Sequence, residues 1–316
     1  MHAVLLGSSG LSVSPLVFGT LPMGPLQADL PPREGGRILL AALELGVTMV
    51  DTAELYGTYP HVREALDAFP GDVTVATKTF AADGATARAH VEKALRDLGR
   101  ERIELVHLHG ARVEHPFTER ADVFAELLKM KDEGKVGHVG LSSHFVGAVA
   151  EAALHPEVEV VHPLVNREGL GILGGTRDGM VAAIEACRRA GKGIYAMKAL
   201  GGGNFIASAR ESLAWVRSLD CVHAVAVGML SAEEAAANVR LFTDGAAPEE
   251  AWLSLEARKR RLRIMERFCK GCGACVAACP SGALSLDGGV ARVEGKECVL
   301  CGYCGASCPE FIIRVV

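Results

Sequence analysis

Eight of the chain's ten cysteines lie in its last 50 residues, at the spacing of a metal centre. Cys269, Cys272, Cys275 and Cys279 precede Pro280, and Cys298, Cys301, Cys304 and Cys308 precede Pro309, so every ligand recurs 29 positions later. Two-residue gaps let three thiolates converge on one face of a cubane cluster, while the fourth cysteine, ahead of proline, reaches across to the other cluster. The pattern thus assigns Cys269, Cys272, Cys275 and Cys308 to one 4Fe-4S cluster, and Cys298, Cys301, Cys304 and Cys279 to a second. Its chemistry is single-electron transfer. Paired CxxC elements also bind zinc, but a doubled CxxCxxCxxxCP run suits zinc poorly. Cys187 and Cys221 stand apart and read as buried thiols.

A second group of reactive residues lies upstream, where short β-branched runs alternate with Ala- and Leu-rich stretches. "LVFGT", "TMVDTA", "VTVATK", "IELVHLH", "KVGHVGLS", "VEVVHPLVN", "GIYAMK" and "HAVAVGM" read as eight strands. Helical patterns such as "GGRILLAALELG" and "TARAHVEKALRDLG" lie between them, each closed by a glycine stop. Strict alternation of strand and helix implies a parallel sheet with crossovers, here an α/β fold closed as a (β/α)8 TIM barrel. An open doubly wound sheet would show a Gly-rich phosphate loop after its first strand, and "FGTLPMGPL" is not GxGxxG. In a barrel the active site forms at the carboxyl ends of the strands. Those ends carry Asp51, Lys78, His109, Ser142, Ser143 and Asn166, with Tyr56 just beyond the Asp51 strand. An ammonium beside a phenol eases its ionisation, and a carboxylate holds that ammonium charged. Such a phenol delivers a proton near neutral pH while an imidazole orients a carbonyl oxygen. His107 shares a barrel face with His109 and reads as packed core; His144, just past the serines, lies within reach of a substrate.

"VFGT", "DTAELYG", "ATK" and "LVHLHG", in this order, resemble the aldo-keto reductases over about residues 4–243. The resemblance implies a catalytic tetrad: Tyr56 as general acid, Lys78 lowering its pKa, Asp51 anchoring Lys78 and His109 positioning the substrate oxygen. It also implies a nicotinamide cofactor against Gly19, Thr20, Ser142, Ser143, His162 and Met197, its adenine near Asn238. Gly201 and Gly202 offer backbone N–H groups to a pyrophosphate. The chain departs from the family where Glu234 replaces an expected arginine and Ala237 an expected glutamate. A carboxylate repels a 2'-phosphate, so the sequence favours NAD(H), or no nicotinamide, over NADP(H). The loops above the barrel are short and chemically plain.

The doubled cysteine pattern resembles bacterial-type ferredoxin domains over residues 265–316, as a small α+β unit. "ALSLDGGVARV" reads as a hairpin turning at Asp287-Gly288-Gly289. So small a unit has little apolar core and depends on its clusters to fold. The expected organisation is a barrel over residues 1–245, a linker helix over 246–264 and the iron–sulfur domain. In the linker, "RKRRLR" reads as a solvated helix face or as a dock for an acidic electron carrier.

With a net charge of -5 and no apolar run near the roughly 20 residues of a membrane helix, neither nucleic acid nor membrane is an expected partner. The opening residues lack a signal-peptide pattern, and thiolate ligands suit a reducing compartment, so a cytoplasmic location is expected. Three functions stay open. One is an oxidoreductase interconverting a small carbonyl and alcohol, with electrons exchanged through the clusters, a ferredoxin or flavodoxin serving as carrier. Another is a nicotinamide-dependent reductase whose clusters are structural or sense oxygen. The last is a non-catalytic barrel that binds an electron carrier.

Overall fold

Each of the eight β-branched runs forms a strand in the computed structural model, which describes residues 1–111, 113–245, 249–257, 259–310 and 312–315. The strands are β1 (Leu16–Gly19), β2 (Met49–Asp51), β3 (Thr74–Thr79), β4 (Ile103–Gly110), β5 (Val136–Ser143), β6 (Val160–Pro163), β7 (Gly193–Ala196) and β8 (Ala224–Gly228). They close into a barrel, with β8 pairing parallel to β1 through Gly228 and Gly19. Outward-facing residues such as Phe18, Val75, Leu108 and Val161 pack against the surrounding helices in the main core. Inward-facing residues alternate with them, as period-2 geometry requires.

The barrel interior is layered. Leu6 and Val13, from an N-terminal hairpin, close the lower end and pack under Val17, Met49, Ala76, Leu105, Val160 and Tyr195. One pleat higher the inward residues turn polar: Asp51, Lys78, His107, His109, Ser142 and His162 are all buried. The apolar floor supplies the packing, and the polar layer above it can do chemistry.

The segment expected as one linker helix is divided. Helix α9 (Glu249–Glu256) is short, and Leu262–Ile264 is a strand, β9, pairing antiparallel with β12 (Ile313–Val315). Alternation of Arg261, Leu262, Arg263 and Ile264 puts apolar groups at period 2, and the terminal strand offers the edge to which they bond. The expected boundary at residue 246, Pro248 and Arg258 of the basic run lie outside the described residues. The expected hairpin forms as β10 (Leu284–Asp287) and β11 (Val290–Val293).

The iron–sulfur domain is seated on the barrel mouth rather than tethered beside it. Asn204 Nδ2 donates to the Cys298 carbonyl at 2.7 Å, and Gln27 Nε2 to that of Leu300 at 3.1 Å. The Val299 carbonyl lies so close over Gly202 that a Cβ there would meet it at 1.8 Å. Gly202 has φ +71°, a conformation other residues adopt only at about 1–2 kcal/mol. Gly202→Ala is therefore expected to unseat the domain while sparing the barrel. Faster limited proteolysis between α9 and β9, with an unchanged far-ultraviolet dichroism spectrum, checks this.

Candidate active site

The upper layer of the barrel is organised around one carboxylate. Lys78 Nζ donates to Asp51 Oδ1 and Oδ2 at 2.6 and 2.7 Å and to the Thr52 carbonyl at 2.9 Å, its side chain wholly removed from solvent. Tyr195, on β7, donates its hydroxyl to Asp51 Oδ2 at 2.9 Å and also meets His107 Nε2 at 2.6 Å. His162 stacks on Tyr195 at 3.9 Å between centroids, with its Nε2 3.7 Å from the same carboxylate oxygen. Burial lowers the Lys78 pKa, opposed by Asp51.

Tyr56 lies over this pair on a one-turn segment after β2, its ring centroid 5.0 Å from Lys78 Nζ, and His109 stands edge-on to it at 6.2 Å. The sequence implies an acidified phenol. In this closed arrangement the Tyr56 pKa is instead raised well above its ordinary value, by burial first, then by Tyr303 and Asp51. Lys78 beneath the phenol is paired with Asp51, whose own charge opposes ionisation of Tyr56. His109 is held neutral, its pKa pushed well down by burial and by Lys78. Its Nε2 meets the Tyr303 hydroxyl at 3.1 Å, and Tyr303 shares a buried cluster with Tyr56.

A cavity of about 430 Å³ leads away from Tyr56 and Asp51, past His162, Met197 and Gly19, to Glu234 and Asn238 on helix α8 (Ala232–Asp244). Of the residues expected to hold a nicotinamide dinucleotide, these and Gly202 line it. Ser142 Oγ and Asn238 Oδ1 are buried without a hydrogen-bond partner among the described residues, as fits groups awaiting a polar ligand. Other expected contacts are spent elsewhere. Thr20 Oγ1 bonds Thr58 Oγ1 at 2.8 Å, and Ser143 Oγ accepts from the Phe145 amide at 3.1 Å. Asn166 pins its loop by bonding both the amide and the carbonyl of Leu170. The glycine run, read as a pyrophosphate cradle, is occupied in part by the seating of Val299. Lys259 and Arg260, together with Trp252 and Leu255 of α9, also line the cavity, so the roof brings two cations to the groove. Glu234 caps the Leu230 amide at 2.6 Å and lies within electrostatic reach of Arg260, which offsets its repulsion of a phosphate.

The sequence profile of the Aldo/keto reductase family matches residues 15–211. The chain belongs to the aldo/keto reductase family. A profile for the 4Fe-4S dicluster domain matches residues 261–309. A Glycine max protein named probable aldo-keto reductase 1 is 30% identical over 221 residues, an alignment spanning 65% of this chain and 61% of that protein. A Pseudomonas aeruginosa structure described as an aldo-keto reductase superposes with TM-score 0.64 at 28% identity, covering 77% of this chain and 94% of that one. An aldo-keto reductase from Bacillus halodurans shares the fold at 20% identity, with TM-score 0.63 over 81% of this chain and 96% of that one. The protein is thus an oxidoreductase of the aldo/keto reductase type carrying a 4Fe-4S dicluster domain.

In this reductase the cysteines fall into two groups. Cys279, Cys298, Cys301 and Cys304 line one cavity, drawing the distant Cys279 to the second motif. Cys275 lies within electrostatic reach of Cys308 and Cys269, while Cys272 is exposed on the same loop. Burial and mutual repulsion push the Cys304 thiol up, an arrangement that suits thiolates only when a cationic centre sits among them. Cys187 and Cys221 are buried thiols with raised pKa values, Cys187 at about 11.

Sequence reasoning missed Tyr195 and Tyr303. Tyr195 carried a usable signal, since it lies two residues before Met197 on one strand and so faces the barrel interior. Tyr303 carried none, because only the seating of the domain brings it to His109.

Four buried histidines, His107, His109, His144 and His162, have lowered pKa values, that of His144 falling to about 3. Unfolded histidine titrates near about 6.5, so the stability each contributes is complete above that pH and is lost as pH falls toward the folded value. Each adds a slope of up to about 1.4 kcal/mol per pH unit. Urea unfolding between about pH 6.5 and 5 is expected to be steeply pH-dependent, and less so by about one such slope in His144→Asn.

Proposed function

We propose that this reductase interconverts a small carbonyl compound and its alcohol at Tyr56, exchanging electrons through the domain seated over its mouth. The supporting observation is that Tyr56, Leu21 and Ala53 of the barrel share one buried apolar cluster with Val299, Cys301 and Tyr303. The second cysteine group therefore borders the reacting position. The two groups would hold 4Fe-4S clusters, which supply one-electron transfer when bound. Met197, His162, Ser142 and Asn238 would hold a nicotinamide dinucleotide, which supplies hydride.

The chain's own residues do the rest. Tyr56, kept protonated by burial, donates its proton as alkoxide charge develops on the substrate oxygen; an alkoxide is more basic than a phenolate, so a raised phenol pKa does not prevent the transfer. Asp51 keeps Lys78 charged beneath it, and neutral His109 orients the oxygen. Exposure of Cys272, near Phe268 and Lys270 in sequence, supports the first cysteine group as the side that would meet a ferredoxin or flavodoxin. A reducing compartment such as the cytoplasm suits these thiolates. The structural-cluster reading is favoured by one feature, the carbonyls of residues 298–300, which seat the cysteine loop as a lid.

Anaerobic titration of the cluster-loaded enzyme with NADH, followed by cluster absorbance and electron paramagnetic resonance, separates the two. Cluster reduction supports the proposed route; NADH binding with no reduction, and no oxidation of dithionite-reduced clusters by NAD, supports structural clusters. Tyr56→Phe is expected to cut carbonyl reduction by about 100-fold or more with cluster signals unchanged. Glu234→Gln keeps the Leu230 cap and removes the charge, so NADPH affinity is expected to rise about fivefold relative to NADH, as read by fluorescence titration.

A further inference from the structure

The hydroxyl of Tyr303 meets His109 Nε2 at 3.1 Å, and its ring shares one buried cluster with Tyr56, within electrostatic reach of that phenol. On the tetrad reading above, this is where the oxygen of a carbonyl substrate must sit to accept the Tyr56 proton. We propose that Tyr303 is a specificity-determining residue of the active site, supplied by the iron–sulfur domain, that fills the substrate-oxygen position and must be displaced by any carbonyl that reacts.

Three features carry this. Tyr303 is buried, with its ring edge-on to His109 at 6.1 Å between centroids, so the phenol is packed in place rather than resting at a surface. It lies on the same short stretch as the carbonyls of Cys298, Val299 and Leu300 that seat on Asn204, Gly202 and Gln27, so its position is fixed at several points. Leu300, in that stretch, has φ +46°, a left-handed conformation uncommon outside glycine, which the surrounding contacts hold. The open volume beside Tyr56 runs along the cofactor groove, and His109 is not among the residues lining it. A carbonyl therefore reaches both Tyr56 and His109 only by taking the place of the phenol. Substrates that gain most from two hydrogen bonds at their oxygen and from apolar contact with Leu21 and Ala111 are selected over weak acceptors.

The test uses the full-length, cluster-loaded protein with benzoate as a non-reacting probe, whose carboxylate accepts from the Tyr56 hydroxyl and from His109. By isothermal titration calorimetry, Tyr303→Phe is expected to bind benzoate about tenfold more tightly than the native chain, since the hydrogen bond to His109 no longer has to be exchanged. With benzaldehyde as substrate, KM falls by a similar factor and kcat does not. Gly202→Ala, which lifts Val299 off the mouth, tightens benzoate binding independently if Tyr303→Phe fails to load clusters. Unchanged benzoate affinity in both variants overturns the proposal, as does a fall of tenfold or more in kcat for Tyr303→Phe, which would make the phenol a proton donor. Tyr56→Phe is the control for the underlying reading: if it keeps native turnover, the tetrad assignment fails and this proposal falls with it. If it loses turnover while Tyr303→Phe leaves affinity and KM unchanged, only the role of Tyr303 is refuted.

Discussion

A single buried ammonium governs the upper half of the barrel. Lys78 has no solvent, so its charge must be met within the protein, and Asp51 meets it with both oxygens. Removing one partner of such a pair costs about 3–5 kcal/mol, because the other charge is left buried and unpaired. Asp51 in turn accepts from Tyr195, which holds His107, so strands β2, β3, β4 and β7 meet through one connected set of bonds. The low dielectric that makes this network strong also makes it intolerant of an unpaired member. A dry ceiling over Lys78 is therefore part of the same physical problem as the pair itself.

The ceiling comes from an unusual source. In this fold the βα loops ordinarily form the walls of the site. Here those loops are themselves covered by α9 and the second cysteine loop: Trp252 and Leu255 lie over the groove, Val299 and Tyr303 over Tyr56. Closing the site from outside the barrel ties its geometry to the folding of the cysteine domain. That domain has only small apolar clusters, into which its own cysteines are counted, so the centre those cysteines hold contributes much of the order of the roof.

This coupling gives residues 298–303 two duties. Cys298, Val299 and Cys301 line the cysteine cavity, and the same stretch meets the barrel through the Cys298 and Leu300 carbonyls, Val299, Cys301 and Tyr303. One short loop thus lines the cysteine cavity and closes over the barrel mouth. A change in one duty is therefore felt in the other.

The sequence by itself determined the parts whose signal is local or periodic. Eight β-branched runs, glycine stops after helices and strand-end positions for Asp51, Lys78 and His109 follow from repeats of 2 and 3.6 residues, and the doubled cysteine motif declares its own ligand chemistry. The short alternating run Leu262–Ile264 was legible in principle but was masked by the helix-favouring charges before it. Tertiary structure alone decided how these parts meet. That the Val299 carbonyl comes down on Gly202, that Lys259 and Arg260 reach the cavity beside α8, and that Tyr303 reaches His109 across 194 positions are consequences of docking. Docking depends on shape and on buried hydrogen bonds between segments far apart in the chain, and no spacing within either segment encodes it.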